Sequence, residues 1–111
     1  MVPYADLDRG LIDGRPDGLC KLVVDRRSRR LLGAHIVGEQ AVEVVQIAAP
    51  AMRAGMTVEE LADVELAYPT FTAVVGLAAR RAVGDLEPAA TPHGHVTPEW
   101  TRAVEWEHRA G

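Results

Sequence analysis

The sequence predicts one α+β domain in which an antiparallel β-sheet carries helices packed on one face. Its 111 residues, 48% hydrophobic and 25% charged, fit a single soluble domain rather than two. Residues 18–25 and 30–38 are β-branched and Leu-rich segments joined by a short polar stretch, a pattern typical of a hairpin. After Gly38 the apolar spacing changes from two to about 3.6 residues, which indicates helices.

The N-terminal segment and the hairpin tip are polar. Residues 1–16 are rich in Asp, Arg, Gly and Pro, which predicts an extended lead-in and a turn, with a short helical turn after Asp6. The tip contains four arginines in five positions, Arg26, Arg27, Arg29 and Arg30. A phosphate-binding patch is one interpretation, but charged residues also suit a solvated strand end, and we favour that second interpretation.

An amphipathic helix follows Gly38 and ends at Gly55. One face carries the apolar residues Ala41, Val44, Val45, Ala48 and Met52. Pro50 lies inside this pattern, where it removes a backbone donor and crowds the carbonyl of Gln46. We therefore expect a kink or an early stop there.

Two more helices have recognisable starts. Thr57 and Glu60 have the spacing of a capping box, which predicts a short helix from Val58 to about residue 63. Residues 64–67 are expected to be extended, because Pro69 disfavours helical geometry before it. Thr70 then caps a third helix, which ends before Gly84 and carries the apolar residues Phe71, Val74, Val75, Ala78 and Ala82.

The chain divides at about residue 84. We expect residues 1–84 to form the domain and residues 85–111 to form a Pro-containing linker with a short C-terminal helix. Thr97 and Pro98 suit the start of that helix, and both tryptophans, Trp100 and Trp106, lie in the same segment.

Charge and cysteine content exclude several classes of function. A net charge of -4 argues against generic binding to nucleic acid or anionic lipid. Cys20 is the single cysteine, which excludes an internal disulfide and a CxxC pair and favours a cytoplasmic location. No apolar run approaches the ~20 residues that span a bilayer. The common nucleotide-binding, hydrolase and metalloprotease motifs are absent, and His93, His95 and His108 are expected to bind metal only adventitiously.

Four segments carry a resemblance to a known family: residues 18–25, 31–38, 54–63 and 68–70. Together they resemble the C-terminal dimerisation domain of FAD-dependent pyridine nucleotide–disulfide oxidoreductases, from about Pro3 to Val83. The resemblance implies a homodimeric family in which FAD and NAD(P) domains precede this domain. It also implies an N-terminally truncated domain, with a narrower sheet whose edge is unpaired or completed by a partner's strand.

The resemblance also identifies candidate site residues. Disulfide-reducing members have a His-Pro-Thr-x-x-Glu segment that reaches the flavin of the partner subunit. Here Tyr68 stands at the His position, Pro69 and Thr70 match, and Ala73 replaces the Glu. Tyr68 and Pro69 are therefore expected against a partner's flavin, without the proton-handling pair. The Tyr-Pro-Thr form resembles the soluble transhydrogenase branch, and relaxed constraint in a non-working fragment is the other explanation.

Two functional hypotheses follow from this resemblance. The first is a dimerisation module without independent catalysis, with no cofactor in the isolated chain and no catalytic or metal-binding residue. It would self-associate through its long helix and the segment from Tyr68 to Ala82. The alternative is a split oxidoreductase subunit that completes an FAD-dependent active site in trans, with a flavoprotein subunit as its partner and FAD and NAD(P) bound there. A weaker third hypothesis is anion binding by the arginine-rich hairpin tip.

Overall fold

The sheet has three strands in the order β1-β2-β3, with antiparallel neighbours. The computed structural model describes residues 1–87. Along these residues the elements are β1 (Val2–Pro3), a 3-10 turn (Tyr4–Asp6), α1 (Asp8–Ile12), β2 (Gly18–Val24), β3 (Leu31–Gly38), α2 (Ala41–Val45), α3 (Ala48–Arg53), α4 (Val58–Ala62) and α5 (Ala73–Leu86). The predicted α+β class is confirmed.

Strands β2 and β3 form the predicted hairpin. Their register runs from the Gly18–Gly38 pair to the Val24–Leu31 pair, with an irregularity beside Val23. On the other side of β2, β1 pairs only with the first half of the strand, at residues 19 and 20. Within residues 1–87, positions 21–24 of β2 have no strand partner on that side. The sheet is therefore narrow, with an open edge.

The open end of the hairpin closes over the ring of Tyr4. Gly18 and Gly38 have φ values of 150° and 134°, which L side chains rarely adopt. A Cβ on Gly18 would lie 2.9 Å from Cγ of Tyr4, and a Cβ on Gly38 would lie 2.8 Å from its Cε2. The Tyr4 hydroxyl donates a hydrogen bond of 2.9 Å to the carbonyl of Glu39. Two glycines are therefore needed where the ring passes.

One face of the sheet carries the helices, as predicted. Helix α5 packs on β1 and β2, and α2 and α3 pack on β3. The outer face of the sheet exposes Lys21, Val23, His35 and Val37. The fully buried side chains that join the sheet to the helices are Tyr4, Cys20, Val44, Val58, Leu61, Val74 and Val75. The core therefore lies between the hairpin and α5.

The predicted interruption of the long helix by Pro50 is confirmed. Helix α2 ends at Val45, and the N–H groups of Gln46 and Ile47 bond to carbonyls three residues back. Each residue of such 3-10 geometry turns about 120° rather than about 100°, so α3 is rotated relative to α2. Met52 therefore points outward and is 40% exposed, which makes its predicted place on the buried face wrong.

Helix α4 begins with the predicted capping box. Thr57 Oγ1 accepts from the N–H of Glu60 at 3.2 Å, and Glu60 Oε2 accepts from the N–H of Thr57 at 2.8 Å. Both hydrogen bonds satisfy donors that a helix start leaves without intrahelical partners. No helix in the described part of the chain is long and apolar enough to cross a bilayer.

Helix α5 continues through Gly84 to Leu86, so its predicted end before Gly84 is wrong. A mid-helix glycine costs about 1 kcal/mol relative to alanine. The partly buried side chains of Val83 and Leu86 pack against the core and offset that cost. The division into residues 1–84 and 85–111 stays a prediction, and the C-terminal helix predicted from Thr97 lies outside the described residues.

Alkaline pH should destabilise the fold through Cys20. Burial raises the pKa of its thiol from 9.0 to about 11, so the folded state favours the neutral thiol. The buried neutral thiol therefore contributes about 3 kcal/mol to the free energy of unfolding, for a shift of two pKa units. This contribution is complete below pH 9 and is lost as pH rises from 9 to 11. Urea unfolding at several pH values measures it.

Cys20→Ala is the matched control, because it lacks the thiol. Its free energy of unfolding should fall less steeply between pH 9 and 11 than that of the parent protein. Burial also raises the pKa of Tyr4, and that contribution to the alkaline loss is common to both proteins. Parallel pH profiles for the two proteins would contradict the role assigned to the thiol.

Candidate functional site

The loop of residues 63–72, between α4 and α5, carries the predicted site residues Tyr68 and Pro69. Phe71 anchors this loop, since its buried ring stacks on Tyr4 with the ring centroids 5.7 Å apart. Tyr68 is 61% exposed, and Pro69 is half-buried after a cis peptide bond. The structure therefore places the two residues side by side on the surface, held from below by Phe71.

Thr70 connects the loop to the first turn of α5. Its hydroxyl donates to the carbonyl of Ala67 at 2.5 Å and accepts from the N–H of Ala73 at 3.3 Å. Since a hydroxyl has one proton, the 2.8 Å contact between Thr70 and Thr72 is donated by Thr72. Helix α5 begins at Ala73 with Thr72 at its N-cap position, so the predicted start at Thr70, with Phe71 inside the helix, is about two residues too early. Thr70 nevertheless holds the backbone on both sides of Pro69.

Asp8 is a partner of Tyr68 that sequence reasoning missed. The Tyr68 hydroxyl donates to Oδ2 of Asp8 at 2.6 Å, although the two residues are 60 positions apart. A hydrogen bond to a carboxylate is shorter and stronger than one between neutral groups. In the sequence, Asp8 is an ordinary acid near a helix start, and no local pattern connects it with the loop.

A groove extends from this loop along α5. It has a volume of about 1280 Å³, and its walls are the N-terminal segment, the loop and one face of the helix. Four residues at helical spacing line it from α5: Ala73, Gly76, Leu77 and Arg80. Tyr68 and Pro69 are part of its wall. Ala73 therefore adds a methyl group to the groove at the position where the resemblance implies a carboxylate.

The outward side of α2 and α3 presents a second apolar feature, which we call the outward stripe: Val42, Val45, Ala49 and Met52. Val42 is 73% exposed, Val45 is half-buried, and Ala49 is exposed. The three-residue spacings place Val42 with Val45 on one side of α2 and Ala49 with Met52 on one side of α3. The sequence pattern did not predict the outward stripe, because the break before α3 determines which residues of α3 face the solvent.

The hairpin tip is organised by structural contacts. Arg29 donates from Nε to Oε1 of Glu59 at 2.6 Å. Desolvation raises the pKa of Glu59, but the hydrogen bond and positive charge of Arg29, together with hydrogen bonds from the Glu59 backbone and from Thr57, outweigh it and leave the pKa below its ordinary value. Asp25 accepts from the backbone N–H of Ser28 at 2.6 Å. One of the four arginines is therefore committed to the fold.

Metal-binding geometry is absent from residues 1–87, where no three His, Cys, Asp or Glu side chains are grouped to hold an ion. His93, His95 and His108 lie outside the described residues. Cys20 is buried, and the raised pKa of its thiol, about 11, keeps it protonated at neutral pH. It is therefore a packing residue.

Comparison with known proteins agrees with this architecture. Residues 1–79 match the family described as "Pyridine nucleotide-disulphide oxidoreductase, dimerisation domain". The chain belongs to this family, and the hairpin, the helices and the Tyr68 loop are parts of such a dimerisation domain.

Three relatives illustrate the relationship. The soluble pyridine nucleotide transhydrogenase of Mycobacterium bovis (strain BCG / Pasteur 1173P2) is 42% identical over 72 residues, which are 65% of this chain and 15% of that protein. The mercuric reductase of Staphylococcus aureus is 37% identical over 79 residues, 71% of this chain and 14% of that protein. The mercuric reductase of Shewanella putrefaciens is 42% identical over 77 residues, 69% and 14% of the two chains. The chain thus matches about one-seventh of each relative's length.

The Tyr68–Asp8 hydrogen bond should contribute measurably to stability. A double-mutant cycle of Tyr68→Phe and Asp8→Ala should give a coupling energy of about 1 kcal/mol, because both groups are near the surface and a hydrogen bond to a carboxylate is charge-assisted. Urea unfolding followed by circular dichroism measures it. Asp6→Ala is the matched control for Asp8→Ala, since Asp6 pairs with Arg81 instead. Additive effects of Tyr68→Phe and Asp8→Ala would contradict the pairing.

Proposed function

We propose that this chain is a dimerisation and interaction module of a flavin-dependent NAD(P) oxidoreductase and has no turnover of its own. The observation that carries the proposal is the outward stripe. An apolar stripe of this kind on a helix is typical of a surface that another protein covers. Its position on the opposite side of α2 and α3 from the buried Val44 and Ala48 gives the segment two apolar sides.

A second copy of the chain is the partner that fits this stripe. The stripe extends over eleven residue positions, about 15 Å of helix, so two copies can pack antiparallel across a two-fold axis. Each apolar side chain then meets the same stripe of the neighbouring subunit. The match to a dimerisation-domain family supports this homodimer.

The Tyr68–Pro69 loop is the second contact of the proposed dimer, facing the flavin of the neighbouring subunit. Two observations support that role: Tyr68 is exposed to solvent, and the buried Phe71 and the hydrogen bonds of Thr70 hold the loop backbone in place. FAD and NAD(P) would be bound by other domains. The absence of independent turnover is supported by Ala73 in place of a carboxylate and by the buried, protonated Cys20.

The alternative is a split subunit that completes an FAD-dependent active site on a separate chain. The exposed Tyr68 ring on the groove wall favours it, because the ring is available to a larger flavoprotein. Both versions place the chain in a reducing cytoplasm, which the single, buried cysteine supports.

Charge placed on the outward stripe should weaken dimerisation. In Val42→Glu or Met52→Glu, each subunit would bury an unpaired carboxylate, which costs several kcal/mol. Since about 1.4 kcal/mol is a tenfold change, the dimer dissociation constant should rise more than about tenfold in either variant. Sedimentation equilibrium over a range of concentrations measures it.

Leu32→Glu is the matched control, because Leu32 is exposed on the hairpin and lies outside the stripe. The dimer dissociation constant of Leu32→Glu should equal that of the parent chain. A parent chain that stays monomeric at high concentration would contradict self-association.

Purification of the tagged chain from its native host separates the dimerisation module from the split subunit. A tagged chain expressed in its native host should purify alone and colourless if it is a dimerisation module. Yellow flavin absorbance with a larger band, both lost in Tyr68→Ala, would support the split subunit instead. In that variant the outward stripe is unchanged, so self-association provides the internal control.

A further inference from the structure

Helix α1 presents two large apolar side chains to solvent. Leu11 and Ile12 are 54% and 64% exposed, and they stand next to each other at the end of this five-residue helix. The side of α1 that contains Gly10 packs on the N-terminal segment, where a Cβ on Gly10 would lie 2.8 Å from the carbonyl oxygen of Tyr4. Ile12 follows Gly10 by two residues, about 200° around the helix, so it faces away from the core. We call Leu11 and Ile12 the α1 patch.

One end of α1 is joined to the loop that carries Tyr68. Asp8, the first residue of the helix, lies three and four positions before Leu11 and Ile12, on the same side of α1. Its Oδ2 accepts the hydrogen bond of 2.6 Å from the Tyr68 hydroxyl. The exposed ring of Tyr68 is therefore held next to the side of the helix that carries the α1 patch.

The other end of α1 is joined to the start of the outward stripe. The N–H of Arg15 bonds to the carbonyl of Gly10 at 2.7 Å, which folds the chain back against the helix. Nε of Arg15 then approaches Oε2 of Glu39 at 3.8 Å. Glu39 is three residues before Val42, the first residue of the outward stripe. Helix α1 thus connects the two features that the proposed dimer uses as contacts, and the α1 patch is continuous with that interface.

Charged groups around the α1 patch are paired within the chain. Nε of Arg9 donates to Oδ2 of Asp13 at 3.0 Å, and Arg15 pairs with Glu39. An apolar surface can cover the α1 patch while these ion pairs stay at its rim in water, so its approach strands no buried charge. A second copy of the chain has such a surface, because its own outward stripe and α1 patch are apolar, and the chain belongs to a dimerisation-domain family.

We propose that the α1 patch is part of the subunit interface and packs on a second copy of the chain. The contact surface of each subunit then extends from the outward stripe across α1 to the Tyr68 loop. This inference rests on the proposed homodimer and adds a contact that neither the stripe nor the loop requires. A dimer that forms through the outward stripe alone would leave α1 in water, so the α1 contact and the dimer are tested separately.

Charge on the α1 patch tests the proposal. Leu11→Glu and Ile12→Glu should each raise the dimer dissociation constant at least about tenfold, because a carboxylate would be buried at the interface without a partner. Both side chains are exposed within one chain, so the variants should keep the far-UV circular dichroism of the parent protein. Leu32→Glu is the matched control, since Leu32 is exposed on the hairpin and lies outside both apolar features. Sedimentation equilibrium measures all three variants.

Chemical labelling measures the coverage of α1 directly. In Ile12→Cys, the rate of labelling by a maleimide should fall several-fold as the protein concentration rises through the dimer dissociation constant. Leu32→Cys should be labelled at the same rate at every concentration. Cys20 adds little signal in either variant, because its thiol is buried and protonated at neutral pH.

Three outcomes would overturn the proposal. If Val42→Glu weakens the dimer but neither α1 variant does, the proposed dimer stands and α1 lies outside its interface. Labelling of Ile12→Cys that does not change with concentration, in samples that sedimentation shows to be dimeric, leads to the same conclusion. A parent chain that stays monomeric overturns the homodimer as well, and loss of a co-purifying flavoprotein band in Ile12→Glu would then assign the α1 patch to that partner.

Discussion

Burial of the Tyr4 ring connects the parts of this domain that are distant in sequence. The ring lies beneath the two glycines at the open end of the hairpin, stacks on Phe71 and donates its hydroxyl proton to the carbonyl of Glu39. It thereby joins the N-terminal segment, the sheet and the loop before α5. The loop that carries Tyr68 and Pro69 depends on this junction, because Phe71 is its buried anchor.

Helix α5 has one face in the core and one face that lines the groove. Val74, Val75 and Ala78 pack into the core, while Gly76 and Arg80 line the groove on the other side. A helix packed on a sheet by one face leaves the opposite face available, and here that face has small side chains and a half-buried cation. The core therefore fixes the groove wall in place, and the residues that line the groove are not the ones that pack the core.

Cys20 and Tyr68 are held by structural contacts in the described part of the chain. The thiol of Cys20 is buried and protonated at neutral pH, and the Tyr68 hydroxyl donates to the Asp8 carboxylate. The apolar outward stripe and the exposed loop lie on separate elements. This arrangement agrees with the proposed role of the chain as a dimerisation module.

The sequence by itself determined the hairpin, the capping box at Thr57, the interruption before α3 and the position of the Tyr68 loop, because each depends on local periodicity or on residues a few positions apart. Only the tertiary structure decided the outward turn of Met52, the Asp8 partner of Tyr68 and the unpaired state of Arg80 among residues 1–87. The physical reason is the same for all three. A helix break rotates one face relative to another, and hydrogen bonds and ion pairs join residues that only packing brings together.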